Sequence, residues 1–410
     1  MRNESHRRVV ITGLGAISPL GIGAEALWQG LREGRSGIGP LRHPDAARLK
    51  LKIAAQVPAS FDPAANIDAH TLPLLDRTSA FALQSAREAI NQSGIDFKHD
   101  DLGRRTAVVV GTGVGGENTQ DEQSRRIYAE NAQRAHPLTI VRLMTNASAS
   151  HISIAYGLRG PSFAVASACA SANHAIIQAA QMIRYGMADA AITGGTEACL
   201  TYGAIRAWEA MRILADDTCR PFSANRRGLV LGEGAAIFVL ESLEHAQARG
   251  AVILAELAGS GMTADASDIV MPSADGAASA MSQALADAGL APQDIDYINA
   301  HGTGTLANDS SETRAIHLAF GADASRLAVS STKSMHGHAL GASGALELVA
   351  VIGALRDNVV PPTANLDQAD PACDLDYVPN TAREMPVRAV LSNSFAFGGL
   401  NAVLALTRAP

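Results

Sequence analysis

Cys169 falls where the apolar run FAVASAC at 163–169 meets ASANHAIIQAAQMIRYG at 170–186. The first run reads as a strand and the second as a helix closed by a glycine. A sulfur at that junction faces unpaired amides and the positive end of the helix, both of which favour a thiolate nucleophile. Its small neighbours Ala168, Ala170, Ser171 and Ala172 leave room for a thioester. The competing reading is a buried cysteine acting as a small hydrophobe. Cys199, Cys219 and Cys373 lack this context and read as structural; their spacing from Cys169 matches no zinc or thioredoxin pattern.

Two histidine segments supply the partner chemistry. NAHGTGTLANDSSET at 299–313 places His301 just past a short strand, ahead of a turn that Thr303, Thr305, Asn308, Asp309 and Glu312 can brace. SSTKSMHGHALGASGALE at 330–347 places Lys333, His336 and His338 before a long apolar helix. An imidazole can offer one ring nitrogen to a substrate while another group fixes the second, so two of them can share one carbonyl oxygen. His301 and His338 fit that role. His336, two residues before His338, is left open, and His174 reads as structural. Lys333 could orient a carboxylate and Glu347 could brace the cluster; the alternatives are a solvated lysine and a helix-surface glutamate.

These residues need elements to position them. VVITGLG at 9–15, TAVVVGTG at 106–113, DAAITGGTE, GAAIFVLESLEHAQARG with a second part of helical periodicity, LAVSST, AVLSNSFAF and AVLALTR read as strands. LDRTSAFALQSAREAIN at 75–91, NASASHISIAYGL at 146–158 and ASGALELVAVIGALRD at 342–357 read as helices. The order is α/β. The stretch SAMSQALADAGLAPQDIDYINAHGTGT repeats the helix, turn, strand and glycine-turn order of FALQSAREAINQSGIDFKHDDLGRRTAVVVGTG. That parallel predicts duplication, with halves at 1–255 and 256–410 meeting at a shared cleft.

The 410 residues are 47% hydrophobic, enough for a large core. A formal charge of -7 argues against a broad nucleic-acid footprint. No apolar stretch is long enough to span a bilayer, and MRNESHRRVVITGLG lacks the pattern of a signal peptide, so the expected location is cytoplasmic. VGTGVGG at 110–116 lacks both the Rossmann spacing and the phosphate-loop lysine, so no dinucleotide is expected. Metal is not expected either, because a zinc ion suits an exposed nucleophilic thiolate only as its ligand. The scattered basic residues Arg125, Arg126, Arg134 and Arg212 could meet an acidic protein or serve only as solubilising surface.

SACASANH, NAHGTGT, STKSMHGHALGASG and NSFAFGGLN, together with AWEAMRILADDTCRPFSANRRGLVLGEGAA, resemble the β-ketoacyl-acyl-carrier-protein synthases of the type II elongating class over nearly the whole chain. AWEAMRILADDTCRPFSA is similar to the nodulation protein E branch. The resemblance implies a duplicated thiolase-like αβαβα fold and an assembly as a homodimer or with a related subunit. It implies a decarboxylative condensation between an acyl group on Cys169 and a malonyl unit held on acyl-carrier protein. His301 and His338 would then engage the malonyl thioester, with Lys333 and Glu347 in support. The amides of Cys169 and Phe397 would hold the tetrahedral oxyanion. Val114 and Trp208 would border the acyl pocket, and Phe397 would gate it beside the loop containing Asp265. Arg134 and Arg212 would dock the carrier. NSFAFGGLN departs from the usual NSFGFGGTN, Ala396 replacing a glycine and Leu400 a threonine, so gating is expected to differ. TLPLLDRT at 71–78 lacks most of the family's basic cluster. A non-catalytic partner of the chain-length-factor kind is the alternative, against which the retained Cys169 argues.

Overall fold

The computed structural model describes residues 6–410. The polar lead-in at residues 1–5 lies outside them. The first half contributes strands β1 (Val9–Ser18), β2 (Thr106–Gly111), β3 (Ser162–Val165), β4 (Ala190–Glu197) and β5 (Gly234–Ser242). The second contributes β6 (Ala255–Ala264), β7 (Tyr297–Asn299), β8 (Ala328–Ser330), β9 (Ala389–Ala396) and β10 (Leu400–Thr407). The sheet path is β3-β2-β4-β5-β1-β6-β10-β9-β7-β8. Read from its outer edge, each half has the order third, second, fourth, fifth, first. The strand senses agree as well, with parallel pairs at the outer edge and antiparallel pairs inside. β1 and β6 join the halves through Val9↔Leu257, Val10↔Glu256 and Ile11↔Ala255. The two halves of the sheet follow one α/β pattern, the second opening with β6 at Ala255.

Six helices matter for the site. They are α1 (Arg77–Ser93), α2 (Ser171–Arg184), α3 (Tyr202–Met211), α4 (Ala274–Ala288), α5 (Leu306–Phe320) and α6 (Ser343–Asp357). α2 and α6 share one core with the inner faces of both halves of the sheet, where Ile176, Ile177, Leu346, Leu348 and Ile352 are buried. Each such side chain contributes about 1.5–3 kcal/mol by leaving water. α1 lies over β1 and α4 over β6 on the outside, giving the five-layered α/β/α/β/α arrangement.

β6, AELAGSGMTA, is not among the strands read from the sequence, and it carries two glycines. A Cβ at Gly259 would fall 2.3 Å from the Ala288 nitrogen, and one at Gly261 2.0 Å from the Ala280 carbonyl. The glycines let α4 lie directly on the strand. Gly13 and Gly15 of β1 do the same beneath α1, where an added Cβ would meet the carbonyls of Ala89 and Ser85.

The duplication extends to the starts of the two inner helices. α2 is preceded by a tight 3₁₀ turn at Ala168–Ala170 and α6 by one at Leu340–Ala342. Ala168 and Leu340 take positive φ values of 49° and 42°, a conformation few side-chain-bearing residues adopt. Cys169 and Gly341 are therefore counterparts, as are Ser171 and Ser343.

Candidate active site

β3 ends at Val165, four residues before Cys169, so the cysteine sits in the 3₁₀ turn rather than on the strand end expected for it. Ser167 N–H donates to Ser171 Oγ at 2.9 Å, and that hydroxyl donates to the Ala168 carbonyl at 2.7 Å. These bonds fix the sulfur at the head of α2. The residue is buried. Burial pushes the thiol up to about 12, with the nearby Lys333 opposing the rise and Glu197 adding to it. The expectation of a resting thiolate favoured by the helix end is corrected accordingly, because desolvation of the anion outweighs those stabilising charges.

His338 reaches the sulfur from the other half. Its Nε2 lies 3.1 Å from Cys169 Sγ, and its Nδ1 lies 2.8 Å from Ser343 Oγ. The backbone of His338 is pinned on both sides, its N–H donating to the Val230 carbonyl at 2.7 Å and its carbonyl accepting from Gly232 at 2.9 Å. His301 stands edge-on to His338 with ring centroids 5.5 Å apart, and Phe395 packs against its ring at 6.0 Å. Glu312 on α5 accepts from His301 N–H at 2.8 Å and from Gly302 N–H at 2.7 Å, so the carboxylate holds the turn. Burial and the adjacent Lys333 hold both imidazoles well below their usual range, leaving them neutral.

Lys333 is completely buried and ion-paired with Glu347. Its Nζ donates to the His301 carbonyl at 2.6 Å and lies 3.4 Å from His301 Nδ1. An ammonium can only donate, so Nδ1 of His301 accepts and the ring proton belongs on Nε2. Burial raises the Glu347 carboxyl to about 7, against the pull of Lys333. The solvated alternatives for both residues are excluded by their burial. His336 is buried two residues from His338, with Nε2 3.0 Å from Thr332 Oγ1, and His174 Nδ1 lies 2.8 Å from Ser167 Oγ.

A cavity of ≈ 170 Å³ opens onto this cluster, lined by Cys169, His301, His338, Trp208, Asp265 and Phe397 among others. The Trp208 and Phe397 rings stack at 6.1 Å and 26°. Phe397 rides on the turn between β9 and β10. Gly398 of that turn donates to the Ile269 carbonyl at 2.8 Å, and the Gly399 carbonyl accepts from Asp265 N–H at 2.8 Å. The Asp265 carboxylate in turn accepts from Asn401 Nδ2 at 2.7 Å and Ser273 N–H at 2.8 Å. The two loops are therefore stitched together at the mouth.

Val114 does not line this cavity. The residue is 47% exposed. The amides of Gly113 and Val114 point instead at the buried Glu197 carboxylate, 2.6 and 3.4 Å away, and are thus committed rather than offered to a phosphate. The same carboxylate accepts from Gly341 N–H at 3.0 Å, tying this loop to the His338 segment. Sequence reasoning missed Glu197; the one available signal is a glutamate ending an otherwise uncharged strand. Arg134 and Arg212 are exposed and make no ion pair among the described residues, whereas Arg125 is paired with Asp45 at 2.7 Å. The remaining cysteines are free and buried, Cys199 packing beside Cys169 and Leu340.

Cys169, His301 and His338 each offer one atom, all within 4.8 Å of one another, which is close enough to surround a cation. The protonated thiol and the Lys333 ammonium beside His301 oppose one, since a metal needs the thiolate and is repelled by the positive charge. A thiol between two neutral imidazoles suits nucleophilic attack on a thioester and hydrogen bonding to an oxygen that gains charge.

A family model described as "Beta-ketoacyl synthase, N-terminal domain" matches residues 6–246, and "Beta-ketoacyl synthase, C-terminal domain" matches residues 254–367. Nodulation protein E of Rhizobium sp. (strain N33) is 50% identical over 399 residues, 97% of this chain and 98% of that protein. The 3-oxoacyl-[acyl-carrier-protein] synthase 2 of Coxiella burnetii is 45% identical over 410 residues, 98% of this chain and 99% of that one. Among solved structures, the ishigamide ketosynthase/chain length factor superposes with a TM-score of 0.94 at 38% identity, covering 99% of this chain and 100% of its own.

Proposed function

This chain belongs to the beta-ketoacyl synthase family, and on that premise we propose that it condenses a Cys169-bound acyl group with malonyl-acyl-carrier protein to give a 3-oxoacyl-carrier product. The observation that carries the reading is the approach of His338 Nε2 to 3.1 Å from Cys169 Sγ, with His301 beside it.

In the first half-reaction, Sγ attacks the acyl thioester carbonyl. The new C–S bond replaces the bond to the phosphopantetheine sulfur, and the proton given up by Cys169 ends on that departing sulfur. In the second, the bond between C2 and the carboxylate of the malonyl group breaks and carbon dioxide leaves. The electron pair becomes an enolate whose oxygen accepts from the histidine Nε2 positions, the His301 proton being held there by Lys333. C2 then attacks the acyl carbonyl. The oxyanion so formed accepts from the amides of Cys169 and Phe397, and its collapse expels the Cys169 thiolate, which takes a proton from solvent. Neutral imidazoles suit this sequence, since an enolate meeting an imidazolium would be quenched by proton transfer.

Phe397, Trp208 and Asp265 form the mouth through which the acyl group enters. Arg134 and Arg212, exposed and unpaired, suit the acidic carrier as its docking contacts. Val114, exposed in a single chain, reaches an acyl pocket only where a second subunit covers it, as in a homodimer or a complex with a related chain. No helix among the described residues is long and apolar enough to cross a membrane, and the proposed site of action is the cytoplasm.

The ishigamide pair shows a ketosynthase and a chain length factor named together, so a docking-only role is the second reading. Presenting acyl-carrier and malonyl-carrier proteins together and following intact mass and product separates the two. An acyl adduct on Cys169 and a 3-oxoacyl product support condensation. A stable carrier complex that never acquires an acyl group refutes it.

A further inference from the structure

We propose that Ser343 is a positioning residue that fixes the proton of His338 on Nε2. The inference rests on the condensing reading above. Ser343 opens α6 and is fully buried. Among the described hydrogen bonds its Oγ has one partner, His338 Nδ1 at 2.8 Å. A buried hydroxyl carries one proton and must place it on an acceptor, or forfeit the hydrogen bond it made with water. Nδ1 is the acceptor within reach, so the hydroxyl donates and Nδ1 carries no proton. In a neutral imidazole the proton then sits on Nε2, the atom facing Cys169.

The duplicated half supplies a control within the same molecule. Ser171, the counterpart of Ser343, spends its proton on the Ala168 carbonyl three residues back and closes its own turn. Ser343 makes no such bond to Leu340, and its hydroxyl is turned toward the histidine instead. The two serines occupy the same helix position and differ in what they serve.

His301 is treated likewise by a different group. Lys333 offers a proton to its Nδ1, as Ser343 does for His338, so both rings present Nε2–H toward the same space. Two convergent donors are what an enolate oxygen requires, and a ring carrying its proton on Nδ1 would present a lone pair to that oxygen instead.

The test uses the full-length enzyme with malonyl-acyl-carrier protein as the probe. Ser343→Ala should lower the turnover of carbon dioxide release by about 10-fold, the scale of one neutral hydrogen bond, with KM for the malonyl carrier unchanged. Ser343→Thr, which keeps the hydroxyl, should restore it. ¹⁵N-histidine NMR, with the His338 signals identified by their loss in His338→Ala, should show the proton on Nε2 in the unsubstituted enzyme and a shift toward Nδ1–H in Ser343→Ala. A His338 protonated on Nδ1 in the unsubstituted enzyme overturns the proposal, as does full carbon dioxide release by Ser343→Ala. Should threonine fail to fold at this site, the NMR of the unsubstituted enzyme still decides. An enzyme with Nε2–H that releases no carbon dioxide refutes the condensing reading and leaves the proton assignment standing.

Discussion

Replacing Glu197 with glutamine isolates the cost of a buried carboxylate that ties two loops of the site together. Burial raises Glu197 from 4.5 to about 7, even though Gly113, Gly341 and Thr112 donate to it. The unfolded chain releases this proton near the ordinary carboxylate value, while the folded chain keeps it up to about 7. Between those values the folded state binds more protons, so stability falls as pH rises through the window. At about 1.4 kcal/mol for each pH unit inside it, the loss from Glu197 between about pH 5 and about pH 8 comes to about 2–3 kcal/mol. Glutamine removes the titration and keeps the shape. Its carbonyl can replace Oε2, which accepts from Gly113 and Gly341, and its NH₂ can donate to Thr112 Oγ1, 3.1 Å from Oε1, at the loss of the 3.4 Å contact from Val114 N–H. Urea unfolding of both proteins at the two pH values, at one protein concentration, gives the double difference in which every other group cancels. The original protein should lose about 2–3 kcal/mol more than Glu197→Gln. Parallel pH dependences would refute the reasoning and mean that the donated hydrogen bonds outweigh burial, so that the carboxylate stays ionised throughout.

Cys169→Ala should fold and acquire no acyl group; an undiminished adduct on that variant, seen by intact mass after nonspecific labelling is excluded, would remove Cys169 as nucleophile. His301→Ala and His338→Ala should each slow carbon dioxide release by about 10²-fold or more while acyl loading falls less, and normal decarboxylation and product formation in both would take the pair out of the mechanism. Phe397→Ala removes the ring stacked on Trp208 and should change single-turnover loading differently for short and long acyl carriers, whereas a uniform loss matching the unfolded fraction would make Phe397 a packing residue. Ala396→Gly relaxes the same turn and should shift the range of chain lengths loaded, a result that unchanged selectivity would contradict.

The layered α/β order and the residues of the site were legible because their signals are local. Apolar runs mark β1, β2, β4 and β5, Cys169 and His301 each sit where such a run breaks into small residues, and His338 precedes a long apolar helix. What escaped depends on distant packing. The glycines of AELAGSGMTA look like a turn until α4 is seen lying on them. The state of the Cys169 thiol cannot be read from the helix that follows it, since the burial that raises it comes from both halves. Resemblance puts Val114 beside the acyl pocket, yet the residue is exposed in a single chain. Ser343 drew no attention because a serine opening a helix is ordinary, and only its distance to His338 distinguishes it from Ser171.

A repeated unit offers two places for every functional group, and here packing permits only one of them to be filled. Gly341 stands where Cys169 stands in the other repeat, but a Cβ there would fall 2.3 Å from the Gly113 nitrogen and 2.7 Å from Glu197 Oε2. Backbone cannot retreat from such a contact, so no nucleophile can be installed at the second position without dismantling the clamp around Glu197. On the condensing reading, Cys169 is then the covalent port and its counterpart position in the other repeat is closed. On the proposed condensation, acyl loading should saturate at one group per chain, and the malonyl unit can react only once that sulfur carries its acyl group, which gives the two half-reactions their order.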